Sequence, residues 1–375
     1  MASGKDPQSY ALYQQLERPQ DKVYKVIQLP KDFKEQIEKG KDNIVIKSGD
    51  DNRNYTILCT NNKTWKVRQL NHSNTVMLMS DPFHAYVPQK VEPHVKDEEI
   101  LKNSLFGIAN LTYEYELTRT LGYIDNSLLP IYDGKNDIQE GKTVQDLINN
   151  SPISEGEFFK NWFSKGGCKI NGFAAILSDT FITEVLLVII SILISKGVNY
   201  RNESPMVNMN ELSQSVAEQG FAYSGEVTET LLNRFGSSSD GGSTFILNNH
   251  AIAKWFGIYT LKTILTTLIS PEDFLVKWKS ALPPFYNVPI DLPYLRGYFC
   301  RPVTDRIQFL HPETLPLNLA SRISELFKIS KEWQYDEFLP FVEPYVPEGK
   351  KVESILLKHV RKRRLNNKKF VVFPR

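Results

Sequence analysis

Cysteine is scarce. The chain has three, Cys59, Cys168 and Cys300, odd in number and far apart, with no CxxC pair among them. Neither a zinc ribbon nor a disulfide framework is indicated, and the pattern fits a reducing compartment. Long apolar runs are also missing. The most apolar stretch, VLLVIISILI (Val185–Ile194), follows Glu184 and stops after ten residues. A spanning helix needs roughly 20, so this one reads as a helix buried inside a domain, and no membrane association is expected. The opening MASGKDPQSY lacks the apolar core of a secretory signal.

Catalytic signatures are equally thin. The histidines (His72, His84, His94, His250, His311, His359) show no HExxH spacing, and no GxSxG elbow or GxGxxG fingerprint occurs. The nearest approach to a phosphate loop is GSSSDGGST (Gly236–Thr244). It has Gly242 where the lysine that reaches the β- and γ-phosphates would stand, and it follows a helix-like segment rather than a strand. It reads as a surface loop. The acid pairs Glu98–Glu99 and Asp50–Asp51 lie in polar runs, where solvated charge is the ordinary explanation. A nuclease would need carboxylates clustered for a metal, and no such spacing is present. No catalytic residue, metal ligand or cofactor site is assigned, and the chain reads as a non-enzyme.

Core-forming residues are present in strength. An apolar content of 41% with 11% aromatics supports packed cores, and 375 residues allow two to four domains. Net charge is only +2, yet Lys358, Arg361, Lys362, Arg363, Arg364, Lys368, Lys369 and Arg375 put eight cations and no acid into the last 18 residues. Subtracting those eight leaves the preceding 357 residues at −6. Charge segregated in this way is an electrostatic footprint for polyanions, most often nucleic acid. Val352, Ile355, Leu356 and Val360 recur at helical spacing. That phase predicts a helix ending near Arg363, with Lys358, Arg361 and Lys362 on its outer face. A turn at Asn366–Asn367 and a strand over Lys369–Phe373 follow. A docked helix with a basic face and a basic hairpin edge is how a winged helix presents itself to DNA. A solvated basic tail and an import signal carried by RKRR remain alternatives.

Organisation changes along the chain. Residues 1–22 are polar and expected to be mobile. Val23–Leu29, Asn43–Lys47, Tyr55–Thr60, Thr64–Leu70, Thr75–Met79 and Leu111–Thr118 read as strands, with short helices at Lys31–Lys39 and Glu98–Leu105. This small β domain has too few strands to close a barrel, so its edges need cover from a partner. After Pro130 helical patterns dominate, with one or two short strands per group of helices. The predicted architecture is α+β: a flexible segment 1–22, a β-rich assembly domain 23–120, and three winged helices over 121–200, 201–270 and 271–375. Trp162 and Trp278, each behind a phenylalanine at helical spacing, read as core anchors; a partner-facing role is the alternative.

Several segments in order resemble one family. They are NKTWKVRQLNHSNTVMLM (Asn62–Met79), SLFGIANLTYEYELT (Ser104–Thr118), LLPIYDG (Leu128–Gly134), VQDLINNSP (Val144–Pro152), AIAKWFGI (Ala251–Ile258), FLVKWKSALPPF (Phe274–Phe285) and YLRGYFC (Tyr294–Cys300), with the basic terminus. Together they are similar to the sister chromatid cohesion protein DCC family, non-ATPase subunits of the cohesion-type alternative clamp loader. The resemblance implies a nuclear, non-catalytic adaptor. Its β domain would complete a barrel with the large clamp-loader subunit, through that subunit's C-terminal region, and with a small companion subunit. Its winged helices would bind single- and double-stranded DNA and the catalytic region of DNA polymerase epsilon, so that the chain acts on the sliding clamp indirectly. On this reading the DNA-binding residues are Lys358, Arg361, Lys362, Arg363, Arg364, Lys368 and Lys369. A winged-helix transcription or chromatin factor is the competing function.

Overall fold

A computed structural model describes residues 11–14, 23–40, 43–48, 55–80, 104–120, 122–197, 206–220, 223–238, 241–264, 267–346, 351–365 and 369–375. The architecture is α+β. The chain divides into two compact units, Met1–Tyr123 with Asn150–Phe158, and Ile124–Asn149 with Phe159–Arg375.

The first unit is a six-stranded sheet that curls into a half-barrel. Its strands are β1 (Ala11–Gln14), β2 (Ile27–Gln28), β3 (Val45–Ser48), β4 (Thr56–Cys59), β5 (Thr64–Ser80) and β6 (Ser104–Arg119), in the order β1-β6-β5-β4-β3 with β2 also on β6. Two expectations are corrected. Ala11–Gln14, inside the segment read as mobile, pairs in parallel with Ser104–Gly107. The strands read as Thr64–Leu70 and Thr75–Met79 are one strand, whose register against β6 slips between Asn71 and Val76. The polar Asn71–Asn74 stretch between the two runs is thus an irregularity within the ladder, as a bulge allows. The helix read over Glu98–Leu105 lies mostly outside the described residues, and Ser104 already belongs to β6. The helix Lys31–Glu38 places Phe33 edge-on to Trp65, with ring centroids 5.6 Å apart, above Leu58 and Leu117.

Along residues 131–375 one connectivity recurs, strand, helix, helix, hairpin, with the last strand in the middle of its sheet; it is complete in three rounds and reduced in the third to a bridge, one helix, a 3-10 turn and a hairpin. The first round is β7 (Ile131–Tyr132), helices Val144–Asn150 and Glu155–Ser164, then β8 (Gly167–Ile170) and β9 (Phe173–Leu177) in the order β7-β9-β8; β7 runs parallel to β9. The apolar helix Asp179–Ser195 leads into the second round. That round is β10 (Met206–Asn208), helices Met209–Ala217 and Gly225–Phe235, and the hairpin β11 (Gly236–Ser238) and β12 (Thr244–Leu247), ordered β10-β12-β11. The glycine-rich segment, read as a loop, therefore supplies the strand Gly236–Ser238 and the first residue of β12. In the third round the lone bridge Ile269–Ile307 stands for the first strand. The helix Pro271–Ala281, the 3-10 turn Leu292–Leu295, and β13 (Phe299–Cys300) with β14 (Gln308–Phe309) complete it. The fourth follows the helix Leu319–Ile329 and comprises β15 (Trp333–Gln334), helices Tyr335–Val342 and Val352–Leu356, then β16 (Val360–Arg364) and β17 (Phe370–Pro374), ordered β15-β17-β16.

Local sequence explains where the helices begin. Ser178, Asn208, Ser224, Asn248, Ser270 and Asn318 each accept a hydrogen bond from a backbone N–H of the first helical turn, satisfying donors the helix itself leaves orphaned. One continuous core runs from Ile138 to Ile307 and includes the inner face of Asp179–Ser195. A second core gathers Leu326, Trp333, Phe338, Phe341, Leu356, Val360 and Val372. Trp162 and Trp278 are buried as read, and the Trp278 indole donates to the Ala253 carbonyl at 2.9 Å. All three cysteines are buried free thiols; burial pushes Cys168 up to about 12 and Cys300 up to about 11.

Candidate nucleic-acid interface

The basic terminus is a β-hairpin, which corrects the helix read through Arg363. The helix Val352–Leu356 closes with Leu357 donating to Glu353, Lys358 to Ile355 and His359 to Leu356, and Val360 then opens β16. The apolar spacing that suggested a longer helix is a coincidence of two elements. Leu356 and Val360 both enter the same core, one from a helix and one from a strand. The β-branched and aromatic β17, buried at Val371 and Val372, offers Val360–Arg364 an antiparallel partner over its whole length.

A strand turns successive side chains to opposite faces, and this sorts the cations. Val360, Lys362 and Arg364 alternate with Arg361 and Arg363. Lys362, opposite Val372, is committed inside the protein: its ammonium lies 3.7 Å from the centre of the Tyr335 ring and 4.5 Å from that of Phe370, and it donates to Glu353 Oε1 at 3.1 Å. Burial, aided by the carboxylates of Glu353, Glu343 and Asp336, raises the Tyr335 phenol above its usual range, so the ring beneath the lysine stays neutral. Arg361 and Arg363 lie on the other face, exposed, opposite Phe373 and Val371; the Arg363 guanidinium sits 5.0 Å from the Phe373 ring centre. Lys358 is exposed in the turn before β16, Arg364 is exposed at its end, and Lys369 is exposed where the second strand begins. Leu365 donates to the Lys369 carbonyl at 2.9 Å to close the hairpin. Lys368 lies outside the described residues. Six of the seven residues read as DNA-binding thus share one hairpin or the turn before it, and one of the six is spent on structure.

A cleft of about 470 Å³ runs beside the hairpin, lined by Leu365, Lys369, Phe370 and Val371 and by the Arg301–Glu337 pair. Arg301 holds both oxygens of buried Glu337 at 3.0 Å, so its charge is neutralised in place. Among the described residues there is no cluster of three or more His, Cys, Asp or Glu that could hold a metal ion, and no helix is long and apolar enough to cross a membrane.

A second exposed feature is a sheet edge, which the sequence reading expected without saying which strand forms it. Strand β3 has only β4 beside it among the described residues. Ile44, Val45 and Ile46 on and before it are 45%, 48% and 70% exposed. Three apolar residues in a row, without alternation, were the available signal. Strand β5 meets β4 only from Thr64 to Val67, so from Arg68 to Ser80 only β6 pairs with it among the described residues.

A family described as "Sister chromatid cohesion protein Dcc1" matches residues 24–342. The chain belongs to the Dcc1 family. Its similarity to Sister chromatid cohesion protein DCC1 of Saccharomyces cerevisiae is 29% identity over 94% of this chain and 96% of the yeast protein. With the DCC1 proteins of Xenopus tropicalis and Homo sapiens it shares 22% and 21% identity, over 90% and 87% of this chain and 86% and 82% of theirs. The Dcc1 match ends at Val342, the last residue of the helix Tyr335–Val342. The basic hairpin lies beyond it.

Proposed function

We infer that the chain serves sister chromatid cohesion, as its membership of the Dcc1 family implies. We propose that it acts there as a nuclear, non-catalytic adaptor of a cohesion-type clamp loader, binding DNA through its basic hairpin and its partner subunits through the open edge of its β sheet. The observation that carries the DNA reading is the exposed Arg361–Arg363 face, rigidly backed by a lysine that takes no part in display. Strand, helix, helix and hairpin with the third strand central is also the connectivity of a winged helix, whose hairpin wing commonly lies along the phosphate backbone. The β sheet supports the assembly reading, because an exposed apolar edge strand is a template for added strands. Under this reading the large and small clamp-loader subunits would cover that edge. Another surface of the second unit would engage the polymerase epsilon catalytic region, and ATP-dependent work on the sliding clamp would belong to other subunits.

Titration of single- and double-stranded oligonucleotides against the full chain tests the DNA arm. About four or five phosphate contacts predict that log K falls by roughly four per decade of salt. Arg361→Glu with Arg363→Glu should weaken binding more than roughly tenfold and flatten that slope by about two. Unchanged affinity and slope in this double variant would remove the hairpin from the DNA site. Selection from random oligonucleotides should return no consensus; a clear consensus would favour the transcription-factor reading.

A further inference from the structure

Away from the hairpin and the sheet edge, the second unit holds a cleft of about 510 Å³ with an unusual charge arrangement. The helix Asn249–Thr263 turns Lys254, Trp255, Ile258 and Lys262 towards it at three- and four-residue spacing. Arg234, in the last turn of the helix Gly225–Phe235, faces them, and Tyr298, His311 and Glu313 close the far side.

Lys262 is paired with Asp179. Arg234 and Lys254 are not: neither has a hydrogen bond or an ion pair with a carboxylate among the described residues. Both are half-buried, and each rests on an aromatic ring instead. The Arg234 guanidinium lies 4.4 Å from the Trp255 ring centre, and the Lys254 ammonium lies 5.4 Å from that of Tyr298. Burial lowers Arg234 to about 10 and draws Lys254 below its ordinary value. The Asp179 carboxylate, already bonded to Lys262, offsets the burial of Arg234 only in part, and burial alone acts on Lys254. With Lys165 the lining carries four cations against the two acids Asp179 and Glu313, an excess that is unfavourable unless something else offsets the loss of water. Their positions are also fixed by construction. The Trp255 indole donates to Thr183 Oγ1 at 3.1 Å. Gly166 adopts φ +78°, and a Cβ there would stand 2.8 Å from Arg234 Nη1. The loop thus leaves room for the guanidinium that a side chain would take away.

We propose that this cleft binds a phosphate monoester, with Arg234 and Lys254 donating to its oxygens. A monoester carries between one and a half and two negative charges at neutral pH, roughly enough to neutralise the two cations. A nucleic-acid tract fits less well. Asp179 and Glu313 flank the cations and would repel the adjoining phosphates of a continuous backbone. Trp255 is only 9% exposed and covered by Arg234, so its ring is closed to base stacking. The monoester's source could be a phosphorylated side chain or a nucleoside monophosphate, and these share the chemistry. The inference uses no hairpin or sheet-edge residue, so its fate and that of the adaptor reading are separable.

Calorimetric titration of the full chain with inorganic phosphate, N-acetyl-O-phosphoserine amide, AMP and a 12-residue oligothymidylate without terminal phosphate tests it. Saturable binding of inorganic phosphate and at least one monoester is expected, weakened roughly tenfold in Lys254→Gln and again in Arg234→Gln, as the loss of one charge-assisted hydrogen bond implies. Lys254→Gln, at a half-buried surface position, should keep the parent Tm and so report on binding if Arg234→Gln loosens the fold. Preference for the phosphoserine amide would assign the site to a modified protein, and preference for AMP to a small metabolite; both support the proposal. Absence of saturation by any monoester, or equal binding in the Lys254→Gln protein, overturns it. So does oligothymidylate binding that exceeds monoester binding and is lost in these variants.

Discussion

At the scale of single residues, the terminus shows that like charges in sequence need not have like roles. Lys362 stands between Arg361 and Arg363, yet its ammonium is enclosed by Tyr335, Phe370 and Glu353. Sequence revealed the cations but not which of them was spent, because its acceptor Glu353 belongs to the preceding helix and Tyr335 to an earlier one. Glu157 gives a sharper example. Its carboxylate receives Arg119 Nη2, Thr64 Oγ1 at 2.6 Å and Ser154 Oγ at 2.9 Å, while the Thr64 oxygen also accepts the Ser154 N–H at 2.9 Å. Two of those partners come from strands far away in sequence, so no local pattern announces the network. Burial alone would raise the Glu157 carboxyl, but the hydrogen bonds from Arg119, Thr64 and Ser154 outweigh it and hold the carboxyl below its ordinary value of 4.5. A depressed carboxyl stabilises the fold fully above the unfolded value and loses that contribution as pH falls through the folded one. Glu157→Gln should therefore cost about 2 kcal/mol at pH 7, with the gap to the parent narrowing below pH 4. Urea unfolding at the two pH values measures it; a gap independent of pH would place the loss in packing rather than charge.

At the scale of elements, helices were the more legible class. The strongly apolar run Val185–Ile194 fell inside the helix Asp179–Ser195, and Ser or Asn caps marked the starts of six helices. Short strands were less legible, because β7, β13 and β15 are each two residues long and exist only through their partners. The same weakness explains the misread terminus. A run of five residues with four cations has no strand preference of its own, and β17 imposes one. Caps allow a direct check. Ser224 accepts from Val227 N–H at the start of Gly225–Phe235, and Ser224→Ala should lower stability by about 1 kcal/mol, with Ser224→Gly costing less. Thermal unfolding of the three proteins reads this order, and equal midpoints would mean that water replaces the cap.

At the scale of the whole molecule, the two candidate surfaces differ in kind: one is a charged hairpin, the other an apolar strand edge. The sequence indicated an incomplete sheet through its strand count. It could not say which strand stands at the border, since β3 and β4 read alike and only topology separates them. Ile46 is 70% exposed on β3, so Ile46→Lys should leave the free energy of unfolding within about 0.5 kcal/mol of the parent. Co-purification with the proposed clamp-loader partners should nevertheless fail, as a charge on an edge strand opposes added pairing. Retained co-purification would move the assembly surface elsewhere.

The central placement of each round's final strand sets a schedule for a chain leaving the ribosome. The strand made last is the one on which both neighbours depend, so no round can complete its sheet until its own C-terminal segment has emerged. For the fourth round that segment is Phe370–Pro374, which pairs with Trp333–Gln334 on one side and Val360–Arg364 on the other. Until Val372 arrives, Trp333 and Lys362 lack the partner between them. The third round has only a single bridge at its first strand, so it enters this interval with the least sheet of its own. Premature termination near residue 369 would leave a hydrophobic, unpaired sheet exposed to quality control while the earlier rounds are already formed.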